Sequence, residues 1–208
     1  MKKIIALIIK WMGTTTLLSI PRGYVGSSLA YYYSSRGKSI YDFPSLIRAT
    51  DPTVIALIKQ IRQESDMLLS DEDAYLIYTT VKKTEKLDGE VAEVGVYKGG
   101  SAKLIRAATK KPLHLFDTFE GLPEISAKDN PEQMEKGEYS ASLESVKSYL
   151  KNYPNVHFYK GLFPATTEPV GVKKFSFVHL DVDLYKSTLD CLKFFYPRMS
   201  RGGGYHKS

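Results

Sequence analysis

Asp181 and Asp183 stand two residues apart at the end of the apolar run Phe175-Ser176-Phe177-Val178-His179-Leu180-Asp181-Val182. In an extended strand, side chains two apart point the same way, so this spacing presents two carboxylates to one place. Such a pair can hold a divalent cation such as Mg²⁺, or one carboxylate can hold metal while the other accepts a proton. A solvated turn after a strand accounts for the same residues without chemistry. His179 reads as a packed or hydrogen-bonded strand residue rather than a ligand. The second stretch is Glu93-Val94-Gly95-Val96-Tyr97-Lys98-Gly99-Gly100-Ser101: strand end, glycine-rich turn, helix start. Such a turn lets a ligand lie against bare backbone, and its free N–H groups with the helix N-terminus can hold a carboxylate or phosphate. Asp117 ends the next apolar run, where a carboxylate can accept both hydroxyls of a ribose. The dinucleotide fingerprint G-x-G-x-x-G is not met, because Tyr97 stands where the second glycine would be. A glycine-rich strand–helix turn without a ligand fits the motif equally well.

The elements that must position these groups alternate in type. Asp51-Pro52 is a helix start, with a side-chain acceptor before a first-position proline, and Val54, Leu57, Ile58 and Ile61 follow at helical spacing. A second start falls at Ser70, with Asp71, Glu72 and Asp73 in the first turn and Leu76, Ile77 and Val81 as the apolar face. Thereafter the pattern predicts strands over 91–96, 113–116, 156–159 and 175–182, with helices over 101–109, 142–150 and 188–196. A polar loop spans 121–137, with Pro123 and Pro131. Alternating apolar runs and helices indicate a parallel α/β sheet, which binds ligands at the carboxyl ends of its strands. Gly95, Asp117, Gly161 and Asp181 all fall at such ends.

Composition narrows the partners. The 208 residues are enough for one domain with a sizeable core. The single cysteine, Cys191, excludes an intramolecular disulfide and a cysteine-based zinc site. Residues 1–50 carry seven basic side chains against one acid, Asp42, and so the whole net charge of +6. The rest of the chain balances, so the basic character belongs to an N-terminal arm and does not indicate a nucleic-acid surface. Within the arm, the apolar run Ile4–Ile9 is broken by Lys10, too short for a membrane span of about 20 apolar residues. Three readings of residues 1–20 stay open: a helix packed on its own protein or a partner copy, an amphipathic helix on a membrane surface, or an export signal.

Taken together, three motifs in order carry a resemblance. Glu93 to Ser101, then Phe116-Asp117-Thr118-Phe119-Glu120-Gly121-Leu122-Pro123, then His179-Leu180-Asp181-Val182-Asp183-Leu184-Tyr185-Lys186-Ser187-Thr188 resemble the macrocin O-methyltransferase (TylF-type) family of class I S-adenosylmethionine-dependent methyltransferases. The likeness runs from about residue 70 to 203. It implies a Rossmann-like parallel sheet with helices on both faces, preceded by an N-terminal helical region. It implies an enzyme that methylates hydroxyls of sugars or glycosylated natural products with Mg²⁺. It implies that Glu93, Gly95, Val96, Tyr97, Gly99, Gly100 and Ser101 wrap the methionine part of the cofactor and that Asp117 binds the ribose. Thr118, Phe119, Ser142, Gly161 and Leu162 would lie near the ribose or adenine, Asp181 would ligate Mg²⁺, and Asp183 would be the general base.

The resemblance also sets an expectation of loss. Family members continue past the glycine-rich turn into another strand ending in Asp-Asp, whereas this chain reads Gly202-Gly203-Gly204-Tyr205-His206-Lys207-Ser208. The sequence therefore predicts that the strand beside the fourth one and the final strands are missing through truncation or frameshift. An unpaired apolar edge, an incomplete metal site, weak Mg²⁺ binding and little or no turnover follow. The resulting organisation is a basic arm over 1–50 and a methyltransferase domain over 51–208, incomplete at its C-terminus. The expected setting is the cytoplasm, peripheral to a membrane if residues 1–20 touch one, with a small-molecule or glycan acceptor and self-association into a homo-oligomer. Two other classes fit parts of the pattern: a non-catalytic remnant that binds cofactor or a partner, and a glycosyltransferase, in which Asp-x-Asp binds the Mg²⁺ of a nucleotide-sugar.

Overall fold

A computed structural model of the chain describes residues 51–126, 128–129 and 134–207. The expectations for the basic arm and for Pro131 lie outside them. Helix α1 (Pro52–Glu64) buries Val54, Ile58 and Ile61, the stripe that its sequence spacing draws. Helix α2 (Asp71–Thr84) is capped by Ser70, whose hydroxyl accepts the N–H of Asp73 at 3.0 Å. Three acids follow in its first turn and two lysines stand in its last, each complementing the helix dipole. Among the described residues, no helix is long and apolar enough to cross a membrane.

The sheet is parallel and has five strands: β1 (Glu90–Val94), β2 (Leu113–Asp117), β3 (Val156–Lys160), β4 (Phe175–Leu180) and β5 (Met199–Lys207). Their spatial order is β3-β2-β1-β4-β5. The helices between them are α3 (Gly100–Ala108), α4 (Leu143–Tyr149) and α5 (Tyr185–Phe195). The central strands are buried on both faces, which explains why their sequences are continuous apolar runs. Alternate residues divide between two cores. Val91, Leu113, Leu115 and Phe177 pack with α1, α2 and α3, while Ala92, Val94, Phe116, Val178 and Leu180 pack with Cys191 and Phe195 of α5. Chain order reverses beside β1: β2 and β3 lie to one side of it, β4 and β5 to the other. The crevice of such a sheet opens at this switch point.

One expectation is overturned. The position beside β4 is not an unpaired edge, because Met199–Lys207 forms β5 there, in parallel register from Phe177 with Gly204 to Leu180 with Lys207. A register irregularity between Phe175 and Phe177 accommodates the glycine run. The run has no apolar pattern, but a strand needs only backbone N–H and C=O groups to pair. Tyr205 then packs against the α5-side core, and the His206 ring lies 5.3 Å from that of His179. Strand boundaries shift as well: β1 stops at Val94 and β4 at Leu180, so Val96, Asp181 and Asp183 lie just beyond their strands.

Candidate active site

The backbone ladder runs one residue past the strand ends and gathers four loops. Gly95 N–H donates to the Phe116 carbonyl at 2.9 Å, Asp181 N–H to Val94 at 2.9 Å, and Gly161 N–H to Asp117 at 2.9 Å. The turn after β1 leads into α3, whose N-cap is Gly99. Above these loops lies a cavity of about 360 Å³. Its walls include Gly95, Val96, Tyr97, Gly100 and Ser101 of the turn, Asp117 and Thr118 after β2, Gly161 and Leu162 after β3, and Asp181 and Asp183 after β4.

Four other predicted site residues do not line it. Gly99 caps α3, and Ser142 caps α4 by accepting the N–H of Ser145 at 3.2 Å. Phe119 is buried and gives its N–H to Asp117 Oδ1 at 2.7 Å. Glu93 is fully buried beneath the turn, with Oε1 2.7 Å from Nδ1 of His179. His179 is thus the hydrogen-bonded strand residue that the sequence suggested.

The turn differs from the sequence expectation in one respect. Its N–H groups at Val96 and Tyr97 are not free: both donate to Asp117 Oδ2, at 2.6 and 3.1 Å. Tyr97 holds φ of 49°, an uncommon conformation for a residue with a side chain. Its ring meets that of Tyr139 edge to face at 6.0 Å. Tyr139, Glu138 and the α1–α2 linker residues Asp66 to Leu69 also wall the cavity, and no sequence motif marked them.

Two carboxyl groups face the cavity from beyond β4. Burial pushes the Asp181 carboxyl above its ordinary range, and the charges of Glu93 and Asp183 add to this, while His179 and Lys207 oppose it. Burial likewise raises Asp183, with Lys207 opposing and Glu138 adding. Both groups are therefore better proton acceptors near neutrality than an ordinary surface aspartate. Among the described residues, no group of three His, Cys, Asp or Glu side chains could hold a metal ion. Asp181 and Asp183 would leave most ligands of a Mg²⁺ ion to water or substrate, and no step below is routed through a metal.

A parallel sheet with its switch point at β1, a glycine turn, an acid ending β2 and carboxylates after β4 define the Rossmann-like fold of class I methyltransferases. The macrocin O-methyltransferase (TylF) family model matches residues 76–205, and the chain belongs to that family. It is similar to the 8-demethyl-8-(2,3-dimethoxy-alpha-L-rhamnosyl)-tetracenomycin-C 4'-O-methyltransferase of Streptomyces olivaceus, 30% identical over 149 residues, covering 64% of this chain and 56% of that protein. Against the mycinamicin III 3''-O-methyltransferase of Micromonospora griseorubida it is 29% identical over 133 residues, covering 55% and 52%. The chain thus spans about half the length of the curated relatives it matches. Among solved structures, the O-methyltransferase NovP superposes with a TM-score of 0.55 at 25% identity, covering 64% of this chain and 63% of that one. A calicheamicin methyltransferase gives 0.57 at 15%, covering 76% and 78%, a likeness of fold.

Proposed function

We propose that this chain carries the cofactor pocket and catalytic base of an S-adenosylmethionine-dependent O-methyltransferase acting on a hydroxyl of a sugar or glycosylated natural product. The observation that carries the reading is the convergence of Gly95, Asp117, Asp181 and Asp183 on one cavity in a chain of this family. The acceptor class follows the curated relatives, which are named for a rhamnosyl-tetracenomycin, a mycinamicin and a demethyldecarbamoylnovobiocin.

The residues fit the cofactor. The successive N–H groups of Val96 and Tyr97 form a nest that Asp117 Oδ2 fills in the ligand-free chain and that suits the cofactor's carboxylate, and Asp117 stands where ribose hydroxyls need an acceptor. S-adenosylmethionine supplies a methyl group already activated on a sulfonium. Asp183 would take the proton of the acceptor hydroxyl, and the cofactor, when bound, would supply the methyl group and leave as S-adenosylhomocysteine. The raised carboxyl of Asp183 suits this task. The turn after β1 and Glu138 and Tyr139 wall the cavity, and confining both reactants there would remove much of the entropic cost of their meeting.

Residues 1–20 remain part of this proposal on their sequence alone, as a helix packed on its own protein or a second copy, an amphipathic helix on a membrane surface, or an export signal. Calorimetric titration with S-adenosylmethionine, with and without Mg²⁺, tests the cofactor assignment. Saturable binding that needs no added metal is the expected result. No binding by a chain shown to be folded overturns it, and protection by a nucleotide-sugar alone would point instead to glycosyl transfer.

A further inference from the structure

Three backbone N–H groups occupy the carboxylate of Asp117. Oδ2 takes the N–H groups of Val96 and Tyr97, at 2.6 and 3.1 Å. Oδ1 takes the N–H of Phe119 at 2.7 Å, while the Thr118 hydroxyl, 3.5 Å away, gives its proton to the Gly121 carbonyl at 2.7 Å. A carboxylate offers about four acceptor sites. With three of them filled, it cannot accept two ribose hydroxyls while keeping all three N–H partners.

The two sides of the group differ in what they hold. Phe119 is a near neighbour in sequence and is itself buried, so the Oδ1 bond is local and fixed. The Oδ2 bonds instead cross from the end of β2 to the turn after β1. They fill the nest formed by successive N–H groups, which would otherwise receive an anionic ligand group. The carboxylate sits where that ligand group would go.

We propose that Asp117 is a positioning residue with two sets of partners: in the ligand-free chain it holds the Val96–Tyr97 turn ready, and on cofactor binding it exchanges those N–H groups for the ribose hydroxyls. The exchange frees the two N–H groups for the ligand at the moment the carboxylate turns to the sugar, so no buried donor is left without an acceptor at either stage. Tyr97 also leans on Tyr139, so the same movement reaches the acceptor side of the cavity. This inference rests on the cofactor reading above.

The test is residue-resolved amide hydrogen exchange with S-adenosylhomocysteine as the probe. In the ligand-free chain, Asp117→Asn should speed exchange at Val96 and Tyr97 by about tenfold or more, the loss expected for charge-assisted bonds. In the wild-type chain, saturation with S-adenosylhomocysteine should shift the amide resonances of Val96 and Tyr97 and change their protection, while Phe119 keeps its own. Equal exchange at Val96 and Tyr97 in the two ligand-free proteins overturns the proposal. A saturated complex in which those amides are unchanged overturns it too. If a folded wild-type chain does not bind the probe, the cofactor reading falls, and the ligand-free comparison still decides the holding role. Should Asp117→Asn not fold, Asp117→Glu, which keeps the charge but misplaces the oxygens, takes its place.

Discussion

Gly95 and Asp181 meet backbone to backbone across the switch point of the sheet: a Cβ added to Gly95 would stand 2.0 Å from the Asp181 carbonyl oxygen. Gly95 also has φ of 85°, a conformation open to glycine. The contact sets how closely the cofactor turn approaches the carboxylates, so Gly95→Ala should disturb both at once. A loss of about 2–4 kcal/mol in urea unfolding is expected, from the left-handed backbone and the clash together. S-adenosylhomocysteine binding should go with it. Gly171→Ala is the control, since φ there is −57° and its nearest neighbour would lie at 3.4 Å, an ordinary contact. Equal stability of the two variants would show that the sheet yields at Gly95.

Asp183 faces the cavity with a raised carboxyl and is assigned the acceptor's proton. Asp183→Asn keeps the shape and removes the base. Its kcat should fall by about 10²–10⁴, the usual worth of general base catalysis, while S-adenosylhomocysteine affinity stays at the wild-type level. A kcat that survives the change would move the role to Asp181.

Much of this arrangement was legible in the sequence. Glycines and acids placed after apolar runs located the cavity edge, because a parallel sheet leaves its ligands only the carboxyl ends of strands. Two kinds of feature were not. β5 escaped because its pairing depends on backbone rather than on apolar side chains. Glu93 was expected at the cofactor and lies buried against His179, because the neighbouring strands place both side chains inside the sheet, as their register pairing shows. Tyr139 and the 66–69 linker were silent since their place depends on packing between distant segments.

Asp181 carries a charge that the fold disfavours. Its carboxyl is raised in the folded chain, chiefly by burial. A raised carboxyl contributes stability that is fully present below its unfolded value, 3.8, and is lost as pH rises through the folded value. Asp181→Asn, neutral throughout, should therefore gain on the wild type as pH rises from about 4 to 7. Urea midpoints measured across that range check it. A difference that is constant with pH would mean that the fold does not raise the Asp181 carboxyl.

His206 works in the opposite direction. Its ring is buried between α2 and the sheet, with Nε2 3.6 Å from Asp73 Oδ1. Burial lowers it from 6.5 to about 4; His179 and Lys207 add to this, while Asp73 pulls against it. A depressed histidine contributes stability that is present above its unfolded value and is lost as pH falls through the folded one. The fold should therefore weaken between about pH 6.5 and 4, as the unfolded chain takes up a proton that the native chain refuses. His206→Gln removes the titration and keeps a polar side chain beside Asp73. Its urea midpoint should fall less steeply than the wild type's over this window. Asp181→Asn separates the two effects, since it removes the opposing slope and should make the loss on acidification steeper. If all three proteins weaken in parallel below pH 6.5, neither group governs the acid response. The network of Asp73, His206, His179 and Glu93 would then be held by packing rather than by charge.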